Sequence, residues 1–215
     1  MSSDDLRLAF GLAIVLLAAF YSLPQWLRVR RTGSVEGVSL AATSNALISC
    51  TAWVFYAVAI GDIWVLLTCL AALPSLAATT WILVRRNATR EGMVTTWSWT
   101  AALVFAGALA PWFSAPIEVL LGLSIAWYVA PAAWLAWRSA DVSGIAPGAW
   151  LVLLCDALGW LMYSVLTGIH AATLYAVIAG TGALAVLARL AWRWGPDCGA
   201  CGPFGSCSCA APLTR

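Results

Sequence analysis

Sliding the 215-residue sequence 107 places along itself lays Pro24 on Pro131. The same ungapped shift lays Tyr21 on Tyr128, Arg31 on Arg138 and Val35 on Val142. It carries Gly37 onto Gly144, Trp53 onto Trp160, Tyr56 onto Tyr163, Gly61 onto Gly168 and Arg86 onto Arg193. Coincidences of Ala or Leu mean little in a chain rich in both. Coincidences of Pro, Trp, Tyr, Gly and Arg carry weight, because each residue type has its own physical job. The chain therefore reads as a tandem duplication and has to fold as two like units.

What the units are made of decides their solvent. Hydrophobic residues make up 63% of the chain and charged residues 9%, with a mean hydropathy of +0.90. A soluble domain carries about 25% charged residues. This chain cannot coat a water-facing surface, so it is read as an integral membrane protein. Seven stretches approach the roughly 20 apolar residues that a spanning helix needs. They cover approximately 6–27, 41–60, 63–84, 95–113, 115–137, 148–167 and 170–193. They lack the alternation of strands, and lipid offers no partner to open backbone groups, so helices are predicted. The breaks at Gly61-Asp62, Trp112–Pro116 and Gly168–His170 are short, which makes the flanking helices antiparallel neighbours. The leading segment holds Asp4 and Asp5 where a secretory signal is positively charged, so the first run is expected to be a retained helix.

All the basic residues are arginines, and they set the expected orientation. With the N-terminus outside, Arg28, Arg30, Arg31, Arg85, Arg86, Arg90, Arg138, Arg189, Arg193 and Arg215 fall inside. Only Arg7 is left outside. That agrees with the positive-inside rule. Helices one to three and five to seven then start on the same side, and the fourth, which has no partner under the shift, returns the chain between them. The predicted fold is all-α: two parallel three-helix bundles joined by a linker helix, seven transmembrane helices in a 3-1-3 order. The expected divisions are 1–87, a linker over 88–114, 115–194, and a Cys-rich cytoplasmic tail over 195–215.

Pro24-Gln25, the segment Ser34-Val35-Glu36-Gly37-Val38-Ser39 and the pair Trp53 and Tyr56 resemble the PQ-loop repeat superfamily, and within it the SWEET and SemiSWEET sugar transporters. The likeness runs from residue 8 to 193. Ala132 stands where the first copy has Gln25. The resemblance implies a solute path between the two bundles, with Pro24, Gln25 and Pro131 at the gating hinges. Proline inside a helix removes a hydrogen bond and crowds the preceding turn, so a matched pair of kinks suits a rocking carrier. Pro74 has no matched proline, since Thr181 is its counterpart, and reads as a static kink.

One helix face carries Asn45, Ser49, Trp53 and Tyr56, and the matching face of the sixth helix carries Val152, Asp156, Trp160 and Tyr163. The tryptophans offer flat apolar faces to a sugar ring or an organic cation, and the tyrosines add hydroxyls or anchor at the interface. SWEET-type pockets pair this tryptophan with an asparagine on the next helix. Those places hold Cys69 and Ala176 here, which lack the amide's paired donor and acceptor. Asp156 lies mid-helix, where an ionised carboxylate costs about 2.5–3.5 kcal/mol. Its readings are proton coupling, contact with a cationic or hydroxylated ligand, or a hydrogen-bonded structural role beside Asn45 or Ser49. Glu118 reads as an interface residue and His170 as an exposed one.

No catalytic triad, phosphate loop or carboxylate pair at catalytic spacing is visible, so no enzyme activity and no cofactor are expected. Cys50, Cys69 and Cys155 read as packing residues. Cys198, Cys201, Cys207 and Cys209 cluster in the tail with only one zinc-like spacing, so no metal is expected. The expected function is transport of a small polar solute, a sugar first, by alternating access without ATP. A proton-coupled carrier of amino acids or cations through Asp156 is the second expectation, and a non-transporting membrane interaction protein the third. The expected partners are the solute and the bilayer, not nucleic acid, with self-association left open. The expected location is the cell membrane.

Overall fold

The computed structural model describes residues 2–32, 40–87, 90–138, 142, 145 and 147–193. The stretch from Ser34 to Ser39 and the four tail cysteines lie outside the described residues. Eight helices follow one another: α1 (Ser3–Thr32), α2 (Leu40–Ile60), α3 (Ile63–Asn87), α4 (Arg90–Leu109), α5 (Ala115–Leu123), α6 (Ala126–Arg138), α7 (Pro147–Thr167) and α8 (His170–Arg193). No strand occurs among the described residues. Among the described residues five stretches are long and apolar enough to cross a membrane: 40–60, 63–86, 115–138, 147–167 and 170–192. In α4 the apolar part is the shorter run from Thr96 to Leu109. A multi-pass membrane protein is the outcome.

Local chemistry sets the ends. At the start of α1 the Ser2 N–H donates to the Asp5 carboxylate at 2.8 Å, and the Asp5 N–H donates to the Ser2 hydroxyl at 3.1 Å. This reciprocal cap satisfies two donors that the first turn leaves open. Hydrogen bonds to the carboxylate from the Ser2 backbone, first, and the Ser2 side chain hold the Asp5 carboxyl below the usual carboxylate range. At the end of α2, Gly61 takes a φ of +70°, its N–H bonds to Val58 and the next N–H, from Asp62, bonds to Ala57. Gly168 ends α7 with a φ of +74°. Both positions demand the left-handed region, which only glycine enters without strain. The shift of 107 thus repeats a backbone geometry as well as a residue.

The fifth apolar run differs from its prediction as one helix over 115–137. Ser124 and Ile125 interrupt it, with the Ser124 N–H reaching back three residues to Leu121. Pro131 cannot donate to the carbonyl of Trp127, so the interruption falls about a turn before the bond that the proline removes. By contrast, α1 runs through Pro24 and α6 through Pro131 without a break.

Packing follows the repeat. In the first copy α1 and α2 both pack on α3. In the second, α5 with α6 packs on α8, and so does α7. The copies meet through α1 on α7 and through α2 on α5 and α6. First and second helices therefore exchange partners across the centre, as a pseudo-twofold axis requires. Missing side chains permit the closest approaches. A Cβ on Gly11 would strike the Trp64 ring, one on Gly122 would strike Leu174, and one on Gly182 would strike Val129. The apolar core divides into one cluster at the centre and a second among α6, α7 and α8.

Candidate solute site

Trp53 on α2 and Trp160 on α7 are each about 7% exposed, and their ring centroids lie 6.1 Å apart. The duplicated tryptophans therefore face each other across the junction of the two copies. Tyr175 on α8 closes the third side, with its ring 6.3 Å from Trp53 and 6.1 Å from Trp160. Tyr56 stands edge-on to Trp53 at 5.7 Å, and Tyr163 edge-on to Trp160 at 6.2 Å. Edge-to-face contacts of this kind align the positive ring edge with the negative face. Cys69 and Ala176 are buried in the same central cluster. The positions expected to line a pocket thus converge, and they do so with the rings in mutual contact.

The polar members have definite partners. Tyr175 hydrogen-bonds the partly buried carboxyl of Asp156. Ser49 accepts a bond from Trp99 Nε1 on α4 at 2.8 Å. Neither described bond joins Asp156 to Asn45 or Ser49. Asn45 is 3% exposed, and its Oδ1 has no hydrogen-bond partner. A buried acceptor without a donor is costly, so this oxygen is suited to receive a solute hydroxyl or a water. The Cys50 thiol donates to the Cys69 carbonyl at 3.4 Å, which ties α2 to α3 beside the cluster.

Above the rings lies a shallow vestibule of about 300 Å³ lined by Arg7, Tyr56, Ile60, Gly61, Asp62, Thr167, Gly168 and Ile169. Both glycine turns contribute to it, so they lie at the same end of the molecule. Its floor is latched. The Tyr163 hydroxyl donates to the Asp62 carboxylate at 2.8 Å. One oxygen of that carboxylate also caps α3 by accepting from the N–H groups of Trp64 at 3.0 Å and Val65 at 2.9 Å. The Arg7 guanidinium binds the Leu166 carbonyl at 2.7 Å, which joins α1 to the end of α7. Asp62 has Ile169 as its counterpart, so the second copy has no equivalent latch. Glu118 and His170 line a neighbouring groove of about 300 Å³ with Ala115, Val119 and Leu174.

Residues 7–66 match the family model described as PQ loop repeat. The first copy is thus similar to a PQ loop repeat. The match covers the first copy, from Arg7 to Leu66, and includes Pro24, Gln25, Asn45, Trp53, Tyr56 and Asp62. No curated protein sequence matches the chain.

Sequence reasoning missed four members of the site. Tyr175 has Thr68 as its counterpart, so the shift did not flag it, although it adjoins Ala176. Asp62 follows a glycine at a helix boundary, which is a readable capping signal, but nothing in the spacing joins it to Tyr163. Among the described arginines, Arg7 is the one that lines the vestibule. Trp99 sits in α4, which reads as a featureless spacer, yet it binds Ser49 and meets the Trp127 ring at 5.9 Å.

Proposed function

We propose that this chain is a seven-pass membrane transporter of the PQ-loop type that moves a small polar solute by alternating access without ATP. On this reading α5 and α6 form one pass. The two three-helix bundles then lie parallel in a 3-1-3 order, and α4 returns the chain between them. The N-terminus faces outside, and the arginine-rich end and C-terminus face the cytoplasm of the cell membrane. The observation that carries the reading is the Trp53–Trp160 contact at the junction of the copies, beneath a vestibule latched by Tyr163 and Asp62. Two rings in contact have no room for a solute, so binding requires the halves to part. Matched prolines in α1 and α6 give each half a place to bend.

Sugar is the leading substrate class. Indole faces suit the apolar faces of a pyranose, and the open acceptor of Asn45 suits one of its hydroxyls. The second reading, a carrier of small cations or amino acids coupled to protons, is favoured by Asp156. Its bond from Tyr175 places a carboxyl against the aromatic cluster, and aromatic faces attract cations. Uptake of a panel of labelled sugars, amino acids and quaternary amines into proteoliposomes, with and without an imposed pH gradient, tests both. Saturable uptake of a sugar that ignores the gradient supports the first reading. Gradient-driven uptake of an amine or amino acid supports the second. Binding without uptake of any solute in the panel defeats transport.

A further inference from the structure

Three helices end in the same four-residue pattern. Trp26 precedes Arg30 at the end of α1, Trp81 precedes Arg85 at the end of α3, and Trp134 precedes Arg138 at the end of α6. In each pair the guanidinium lies over the indole, at 5.2 Å, 4.2 Å and 4.0 Å from the ring centroid. Trp81 and Trp134 are 59% and 61% exposed, and all three arginines are exposed. The pairs share one end of the molecule. Both α1 and α3 run away from the vestibule, which holds Arg7 and the Gly61 turn. The α5–α6 pair runs parallel to α8, since Gly122 meets Leu174 and Gly182 meets Val129. The start of α8 is at the vestibule, so Arg138 lies at the opposite end with Arg30 and Arg85.

The pattern is not a by-product of the duplication. Under the shift of 107, Trp26 and Arg30 fall on Ala133 and Trp137, and Trp81 and Arg85 fall on Ala188 and Trp192. Trp134 and Arg138 answer to Leu27 and Arg31. Each pair therefore stands outside the repeat register, and each restores the same geometry. A general belt of tryptophan and arginine needs no such spacing. The four-residue step does something more specific: it sets the guanidinium over a rigid apolar plate. Contact with the ring restrains a side chain whose N–H groups suit bidentate bonds to a phosphodiester. The indole beneath sits against acyl chains while the guanidinium stays at headgroup depth.

We propose that these three Trp-Arg pairs form a binding girdle for anionic phospholipid headgroups at the arginine-rich end. The girdle does not depend on transport, only on this end facing the headgroups. The test is native mass spectrometry of the full chain in detergent, titrated with phosphatidylglycerol or phosphatidylcholine. Wild type is compared with two variants of equal net charge: Arg30→Gln with Arg85→Gln and Arg138→Gln, and Arg28→Gln with Arg86→Gln and Arg189→Gln. Wild type should prefer phosphatidylglycerol. Loss of the stacked arginines should weaken that lipid about tenfold, and loss of the other three should weaken it less than about threefold. Trp81→Leu with Trp134→Leu, which keeps every charge, should weaken it several-fold. If a triple variant does not fold, single Arg138→Gln and Trp134→Leu chains should each weaken binding about two- to threefold. Equal losses from the two arginine sets, no effect of the tryptophans, or no preference for phosphatidylglycerol would overturn the girdle.

Discussion

Tyr163 and Asp62 join α7 to the start of α3 beside the vestibule, where the proposed carrier would have to open. The hydroxyl bonds to a carboxylate already fixed as the cap of α3, so the acceptor needs no further ordering. A bond to a charged group contributes about 1.5–3 kcal/mol. Tyr163→Phe keeps the ring against Trp160 and removes the bond. The vestibule end should then open more often, by roughly tenfold or more. The readout is the labelling rate of a cysteine placed at Thr167 by an impermeant maleimide, and an unchanged rate would remove the latch from the mechanism. Asp156 makes the second prediction at this scale. Asp156→Asn keeps an acceptor for Tyr175 and removes the titrating proton. If flux depends on pH through this residue, the dependence should vanish in the variant, and a surviving pH profile excludes coupling here.

Among the elements, α8 packs on α5, α6 and α7. Gly182 approaches Val129, a buried β-branched residue with little freedom to turn aside. Gly182→Ala should lower stability by about 1–3 kcal/mol as an overpacked contact. Gly148 meets nothing within 4 Å, so Gly148→Ala is the control and should leave the melting temperature in detergent nearly unchanged. The proline-bearing helices make the opposite demand, since α1 and α6 have to flex if the halves rock. Pro24→Ala with Pro131→Ala restores two backbone hydrogen bonds and should slow uptake several-fold while the chain stays folded. Uptake at the wild-type rate would show that these prolines only shape the resting packing.

At the scale of the molecule the central feature is two copies facing the same way. The turns at Gly61 and Gly168 line one vestibule, and first helices contact second helices across the centre. Single cysteines at Gly61 and Gly168, tested in intact vesicles, should react with an impermeant reagent from the same side. Reaction from opposite sides would break the symmetry and the proposed transport with it. The two copies are not chemically alike. Thr43, Ser44, Asn45, Ser49, Thr68, Ser75, Thr79 and Thr80 are buried polar residues of the first copy, whereas Ser164 is the buried polar residue of the second among those described. The second copy instead brings Asp156, Tyr163 and Tyr175 to the centre, so the polar groups of the two flanks differ in kind.

Much of this was written in the linear sequence. Apolar runs of spanning length fix helices, because lipid supplies no hydrogen bonds to an open backbone. The shift of 107 marks Trp53, Trp160, Tyr56, Tyr163, Gly61 and Gly168 as paired, since a duplicated residue keeps its place in a duplicated fold. Register along one helix cannot say which side chains meet across a helix junction. That left the Tyr163–Asp62 latch, the Tyr175 wall beside Asp156 and the Trp99–Ser49 bond to the tertiary structure. Each involves at least one residue with no like counterpart in the other copy, so the repeat carries no signal of them. The break at Ser124–Ile125 was hidden for a related reason: hydropathy reports how long an apolar run is, not where its hydrogen bonds shorten. Composition and repeat determined two helical bundles in lipid; the packing of α7 against α1 and of α2 against α5 and α6 decided what stands between them.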